Sequence, residues 1–534
     1  MTQYKFSINL QESAFPLVSA MNGKAVLIPN LDQSPAIPSI YWMENIIPVA
    51  RGVATPSYIP AISSEVLPFT INQNAPENCE VWTVYSSGGN STYLLQYGTM
   101  LYLYQSQSAT WTVLGALGDV DVRISVFYHK GRTLVFHPTI GLNEFDEFLT
   151  ALVPLTVVGL SLSSIISMTG ALSYIIATDG NTIYWSSPIN DLNFDPTSTG
   201  SDANAGSTQV LAIKGNINFL AKSAKGFIAY ATANAAEVVY TGSAENPWRF
   251  IPVLNSNGVY LPWHHTAEAN GSVHFLWSDT GLASITEAQS QQIFPEVSDF
   301  LTGKLYEEYD TSLRTLVEYT VPDAMEVKIN FVANRYLCIS YGRQISGVLK
   351  YILIYDLVLK RWGRLRIDHL AVINLDLPQR TAAPDAEFFD DNILQEAQDF
   401  PNTFASAFLP GSADENFRAA KFGIFTVSGA LVECDLSNTS DNTSGIVLYG
   451  DIALTRNRFS EVIEVELSGI NTDVSVRGRS AQENRSWLEW TAFFFAPEIS
   501  TYQAQLAGRS HELEISGKMM LSSVVITLVP HGTT

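Results

Sequence analysis

Chemistry is sought first in the histidines and carboxylates. His264 and His265 stand side by side with His274 a short way on, and imidazole is a common metal ligand. Adjacent imidazoles on a strand point to opposite faces, and no Cys or acid lies at a ligand-like spacing, so the expectation is packed histidines and no metal. A second cluster, Asp385, Glu387, Asp390, Asp391, Glu396 and Asp399, offers carboxylate oxygens of the kind that hold Ca²⁺. It lacks the alternating acid order and glycine of a calcium loop, which favours a solvated or lumen-facing charged loop.

Two stretches, "ATDGNTIYW" and "SDTGLASIT", distantly resemble the S-x-D-x-G-x-T-W boxes of propeller sialidases, and neither keeps the full order. Asp-Gly hairpin turns explain both. Phosphate-binding P-loops, dinucleotide G-x-G-x-x-G turns, H-E-x-x-H helices and G-x-S-x-G elbows do not occur, so no catalytic residue and no cofactor is assigned, and the chain is not read as an enzyme.

The elements that would position any site read as short strands. Apolar or aromatic runs alternate with tight polar turns in "YLLQYGTMLYLYQSQSATWTVL", "ISVFYHKGRTLVFHPTIGLNEFD", "YIIATDGNTIYWSSPINDLNF" and "HFLWSDTGLASIT". Each unit is an antiparallel meander, and meanders that bury only their faces must stack radially. The fold class expected is all-β, a β-propeller of six or seven blades followed by a β-sandwich. In "YWSSPINDLNFDPTSTGSDANAGS", Tyr184 and Trp185 are expected to end an inner strand, with Ser186 to Ser207 leading to the next blade. Residues 1–80 read as an N-terminal extension and the start of the propeller, 81–444 as the propeller, and 445–534 as the sandwich, a docking domain whose longer strands alternate. Two interruptions are expected, a helical excursion over 287–316 split at Pro295 and an acidic insertion over 384–416.

Among 534 residues, 46% are hydrophobic and 15% charged, as in a packed globular protein, and the formal net charge is −22. Such a surface repels phosphate backbones and disfavours electrostatic nucleic-acid binding. Three scattered cysteines, Cys79, Cys338 and Cys434, suit small apolar fillers made in a reducing compartment, and no secretory signal opens the sequence. The stretch from Phe148 to Thr178 carries no charge. Its Pro, Gly and β-branched residues favour buried strands over a membrane helix, so no membrane insertion is expected.

Taken together, the opening of that aromatic-to-polar stretch, "NINFLAKSAKGFIAYATANAAEVVYTGSAENPWRF", "GLASITEAQSQQIFPEVSDFLTGKLYEEYD", "YILIYDLVLKRWGRL" and the close "HELEISGKMMLSSVVITL" resemble the packaged-DNA stabilisation, or tail nozzle, proteins of short-tailed bacteriophages. The resemblance is weakest over the first eighty residues. It implies a structural virion protein, assembled in the host cytoplasm into a ring, typically a hexamer, below portal and adaptor. Tail fibres or spikes would be further partners, and genomic DNA would pass transiently during ejection. Under that reading the acidic insertion from Asp385 to Asp399 and the carboxylates Glu307, Glu308 and Asp310 are candidate channel-lining groups. Arg456, Arg458, Arg477, Arg479, Arg485 and Arg509 are candidate contacts with acidic neighbouring subunits. The alternative is a glycan-binding or glycan-cleaving propeller protein of a phage tail, and a further one is a baseplate component of a longer tail.

Overall fold

The computed structural model describes residues 4–9, 39–49, 52–60, 79–87, 90–105, 110–118, 122–146, 151–210, 212–243, 246–259, 261–268, 271–278, 280–302, 305–310, 315–320, 327–342, 348–375, 421–435, 443–452, 459–481 and 488–530. The acidic insertion, with Asp385, Glu387, Asp390, Asp391, Glu396 and Asp399, lies outside them, as do Arg456, Arg458 and Arg485.

Hairpins build the body. At His129–Arg132 the two turn residues, Lys130 and Gly131, have φ of 45° and 78°. That left-handed pair matches the twist of the flanking strands, and glycine adopts it without steric cost. Repeated meanders of this type give five separate four-stranded antiparallel sheets in strict chain order, from Cys79–Ser87 through Gln289–Gln292. They are five blades of a β-propeller. The first strands of successive blades lie side by side: the Ser125 hydroxyl accepts from the Met168 N–H at 3.1 Å, and the Ser167 hydroxyl accepts from the Leu220 N–H at 3.1 Å.

A seven-stranded sheet follows, in the order Lys328–Val332, Tyr336–Tyr341, Leu349–Asp356, Arg361–Asn374, Phe422–Thr426, Leu431–Asp435 and Ser57–Pro60. Its middle strand pairs backwards through Arg361 to His369 and forwards through His369 to Asn374, with register shifts where it bends. The sheet's final strand therefore comes from the N-terminal region. Its bent strand also closes on the first blade, where the Tyr93 hydroxyl donates to the Leu375 carbonyl at 2.9 Å.

The remaining strands form one ten-stranded sheet around a long bent hairpin, Ser460–Ala481 with Ser510–Pro530. Register shifts at Val462/Glu464, Ser468/Gly469 and Thr472/Val474 bend it, as bulges do. Both halves feed one apolar cluster, which holds Val462 and Ile526 from one end and Val476 and Leu513 from the other. N-terminal strands join it too: Tyr4–Asn9 pairs with the last strand and Ser39–Glu44 with Gly445–Ile452.

Several expectations are corrected here. Within residues 1–80, Ser39–Glu44 and Ser57–Pro60 join two distant sheets. Among its described residues the excursion over 287–316 is helical at Pro295–Thr302 and extended at Gln289–Gln292 and Leu305–Asp310. Pro295 opens that helix and does not split a longer one, as suits a residue without an N–H at a first helical position. Beyond it, Glu307, Glu308 and Asp310 lie in strand Leu305–Asp310, hairpin-paired with Thr315–Thr320. Tyr184 and Trp185 end the third strand of their blade, and the polar run after them leads to a fourth strand, Gly206–Gln209, of the same blade. Glycine at 206 lets the Trp185 ring lie flat against the backbone, where a Cβ would meet it at 2.5 Å. From the uncharged stretch come the strands Ala151–Pro154, Ser167–Ala171 and Tyr174–Thr178. Among the described residues no helix is long and apolar enough to cross a membrane.

Candidate functional site

The first, second and fifth blades, with strands Lys328–Val332 and Arg361–Asn374, line an axial cavity of about 360 Å³, near the lower end of the range of small-molecule sites. Arg123, ahead of the second blade, spans it. Its guanidinium binds Glu80 of the first blade at 2.5 Å, donates to the Pro262 carbonyl ahead of the fifth blade at 2.9 Å, and lies over the Trp82 ring. Lys328 donates to the Cys79 carbonyl at 3.0 Å. Thr83 donates to the Asn374 carbonyl, whose amide side chain in turn receives the Ala333 N–H. The lining charges thus tie blade to blade across the axis. Burial pushes the Cys79 thiol up to about 12, so it is an inert filler here; Cys338 and Cys434 are raised for the same reason.

Two of the three singled-out histidines do meet. His265 Nε2 lies 2.9 Å from His274 Nδ1, which is also 2.9 Å from the Tyr230 hydroxyl. Tyr230 belongs to the fourth blade and the histidines to the fifth, so the cluster pins neighbouring blades. Burial holds His265 well below its ordinary value and His274 at about 4. Ring nitrogens and phenol are turned on one another in hydrogen bonds. Among the described residues no group of three or more His, Cys, Asp or Glu could hold a metal ion.

Sequence reading passed over a second polar cluster. Asp191 receives a bond from Arg132 and lies 3.1 Å from His129 Nε2. Burial raises its carboxyl, but the hydrogen bonds from His129 and Arg132 and the arginine's charge win and hold it at about 2. Two residues of one hairpin meet a connector of the next blade there, so only "NDLNF" and a turn-forming "HKGR" hinted at it. Asp179, in the sialidase-like stretch, caps its own turn: its carboxylate accepts from the N–H groups of Asn181 and Thr182 and from the Tyr184 hydroxyl. It is hairpin chemistry, as turn rules suggest.

The most buried cation is Arg364, fully enclosed between the propeller and the N-terminal strand Ser39–Glu44. Its guanidinium carbon sits 4.1 Å from the Trp42 ring centroid and 4.2 Å from that of Tyr351, and its Nε donates to the Tyr341 hydroxyl at 2.9 Å. Its backbone exchanges two 2.9 Å bonds with Ile46. Next to it Gly363 allows that contact, since a Cβ there would meet the Ile46 carbonyl at 2.6 Å. Arg366 extends the seam by binding Glu44 at 3.3 Å.

Of the candidate contact arginines, Arg479 is committed within the chain, to Glu512 at 2.5 Å and to the Trp490 ring. Arg509 lies over Phe459. Arg477 is half-buried and pairs in register with Ala492, beside an exposed apolar edge. That edge carries Leu488, Phe494, Phe495 and Ile499, with Phe494 73% exposed. Strand Phe494–Ala496 pairs on one side only among the described strands.

No family model matches the chain, and no curated protein matches it. Among solved structures it is similar to a chain of the "Crystal Structure of Mitotic Checkpoint Complex", at 11% identity and a TM-score of 0.33, covering 78% of this chain and 99% of that one. A likeness at that level carries no argument about function.

Proposed function

We propose that the chain is a structural subunit of a short-tailed bacteriophage tail. In this reading it forms a ring, most simply a hexamer, below portal and adaptor, and retains the packaged genome until DNA is conducted out. The seven-stranded sheet counts as two blades sharing the bent strand Arg361–Asn374, which makes seven in all. The bent hairpin folds the terminal sheet into two facing layers of a sandwich.

The observation that carries the assembly part is the exposed apolar edge from Leu488 to Ile499. Monomeric proteins rarely leave contiguous aromatic surface beside an open strand, and such patches mark protein contacts. Arg477 at its margin would meet an acidic neighbour. The phage part rests on the sequence resemblance and on the net charge of −22, which suits a wall that phosphates must pass without being held. An axial cavity of about 360 Å³ has room for a small molecule and none for a duplex, so the passage in this reading runs between subunits, around the ring axis.

Electron microscopy of the purified chain at high concentration tests the proposal. Closed rings with a central hole wide enough for duplex DNA are expected, and Phe494→Glu with Phe495→Glu should return them to single subunits. Single subunits from the unsubstituted chain, both alone and with portal and adaptor, would overturn it.

A further inference from the structure

A rim groove lies on the fifth blade, about 630 Å³ in volume. It lies between the connector after Trp248–Pro252 and the outer strand Gln289–Gln292. The "TEAQSQQ" stretch, expected at the start of a helix, instead makes this edge. Its turn residues Glu287 and Ala288 have φ of 49° and 56°, a conformation that L side chains adopt at some cost.

The described lining is amide and hydroxyl without a Lys, Arg, Asp or Glu, and includes Asn255, Asn257, Ser278, Thr280, Gln289 and Gln291. One side is already ordered. Asn257 donates to the Thr280 hydroxyl at 2.7 Å, Gln292 donates to the Thr280 carbonyl at 2.9 Å, and the Ser278 and Thr280 hydroxyls lie 3.2 Å apart. The other side is free: the exposed amides of Asn255, Gln289 and Gln291 make no hydrogen bond to a described residue. Gln289 and Gln291, two apart on a strand, share a face. Leu276 and Ala283 also line the groove.

We infer that this groove binds a neutral oligosaccharide. Each amide offers donors and an acceptor together, which matches sugar hydroxyls and N-acetyl groups that are both at once. The described lining has no Lys or Arg to neutralise a phosphate, sulfate or uronate, and the protein's net charge of −22 adds repulsion. Strand addition by a peptide is blocked, because Leu254 already takes the outward backbone groups: its N–H donates to the Ala288 carbonyl and its carbonyl accepts from the Ser290 N–H, both at 2.9 Å. Recognition is left to the side chains. This site does not rest on the ring proposal and would hold for an isolated subunit.

The test uses the full chain on a printed array of neutral hexose and N-acetylhexosamine oligosaccharides, with sialylated and sulfated ones as comparison, followed by titration with the best neutral one. Neutral oligosaccharides should be retained. Asn255→Ala and Gln291→Ala should each weaken binding about three- to tenfold, the value of one net hydrogen bond. Both residues are exposed, so the melting temperature should not move. Retention of none of the neutral sugars, preference for the acidic ones, or unchanged binding by the double variant would overturn the assignment.

Discussion

The propeller and the terminal sheet are both antiparallel β-structure, but they are assembled from opposite kinds of contact. Each of the five blades is a run of consecutive hairpins whose strands are neighbours in the chain. The terminal sheet instead gathers Tyr4–Asn9 and Ser39–Glu44 onto strands from Gly445 onwards. Blades can form locally, whereas this sheet must first close loops hundreds of residues long, the costly order of events for folding. The comparison teaches that the N-terminal segment is the part on which both regions depend. Polar contacts also join these chain-distant pieces, at Arg364 with Trp42 and at Glu44 with Arg366.

Deleting residues 39–60 is the harshest way to break this contrast. It removes the last strand of the seven-stranded sheet and an edge of the terminal sheet together. Hydrogen exchange should show protection lost over residues 445–530 and 421–435, while the five blades keep theirs. Equal loss across the blades would show that they do not form a separately stable unit.

Acid sharpens the comparison next, because buried histidines serve both regions. Burial holds His274 at the blade interface, His369 at the bend and His511 in the terminal sheet each at about 4. Unfolded histidine takes up its proton near its ordinary value of about 6.5. Between these values the unfolded state binds more protons, so stability falls as pH drops from about 6.5 towards 4 and is level above that window. Each such histidine contributes on the order of 3 kcal/mol to the loss. Denaturant melts from pH 7.5 to 4.5 should show the decline, and His511→Gln should flatten it for the terminal sheet, where Ser460 and Ser480 bracket that ring.

Arg364 probes the seam itself. Arg364→Ala leaves a void between Trp42, Tyr341 and Tyr351 and should cost about 3 kcal/mol. Arg364→Met keeps the volume and removes a buried charge, so it should cost under about 1 kcal/mol. A penalty for methionine as large as that for alanine would show that the charge, and not the packing, holds the seam. Smallest is Asp191→Asn, a change confined to one hairpin and the connector of the next blade. It should cost about 2 kcal/mol through the bonds from Arg132 and His129, with no effect on the protection of residues 445–530.

Much of this architecture was legible in the residues. Gly131 and Gly180 in tight polar turns mark hairpins because few other residues accept positive φ, and alternating apolar runs on either side identify the strands. That is local information, carried by residues a few positions apart, and it was sufficient for an all-β repeat fold and for reading the Asp179 stretch as a turn. The 287–316 stretch misled because glutamine and glutamate favour helices when exposed, while the outer edge of a blade overrode that preference in Gln289–Gln292.

Distance in sequence hid the rest. The sequence by itself determined the strand grammar, the acidic balance and the lack of catalytic motifs, since these depend on residue type and short spacing. Folding in three dimensions set the pairing of Ser57–Pro60 with the sheet begun at Lys328, the meeting of Asp191 with His129 and Arg132, and the shared groove of Asn255 and Gln291. Those pairings rest on burial and closure between segments with no shared periodicity, which no local pattern records.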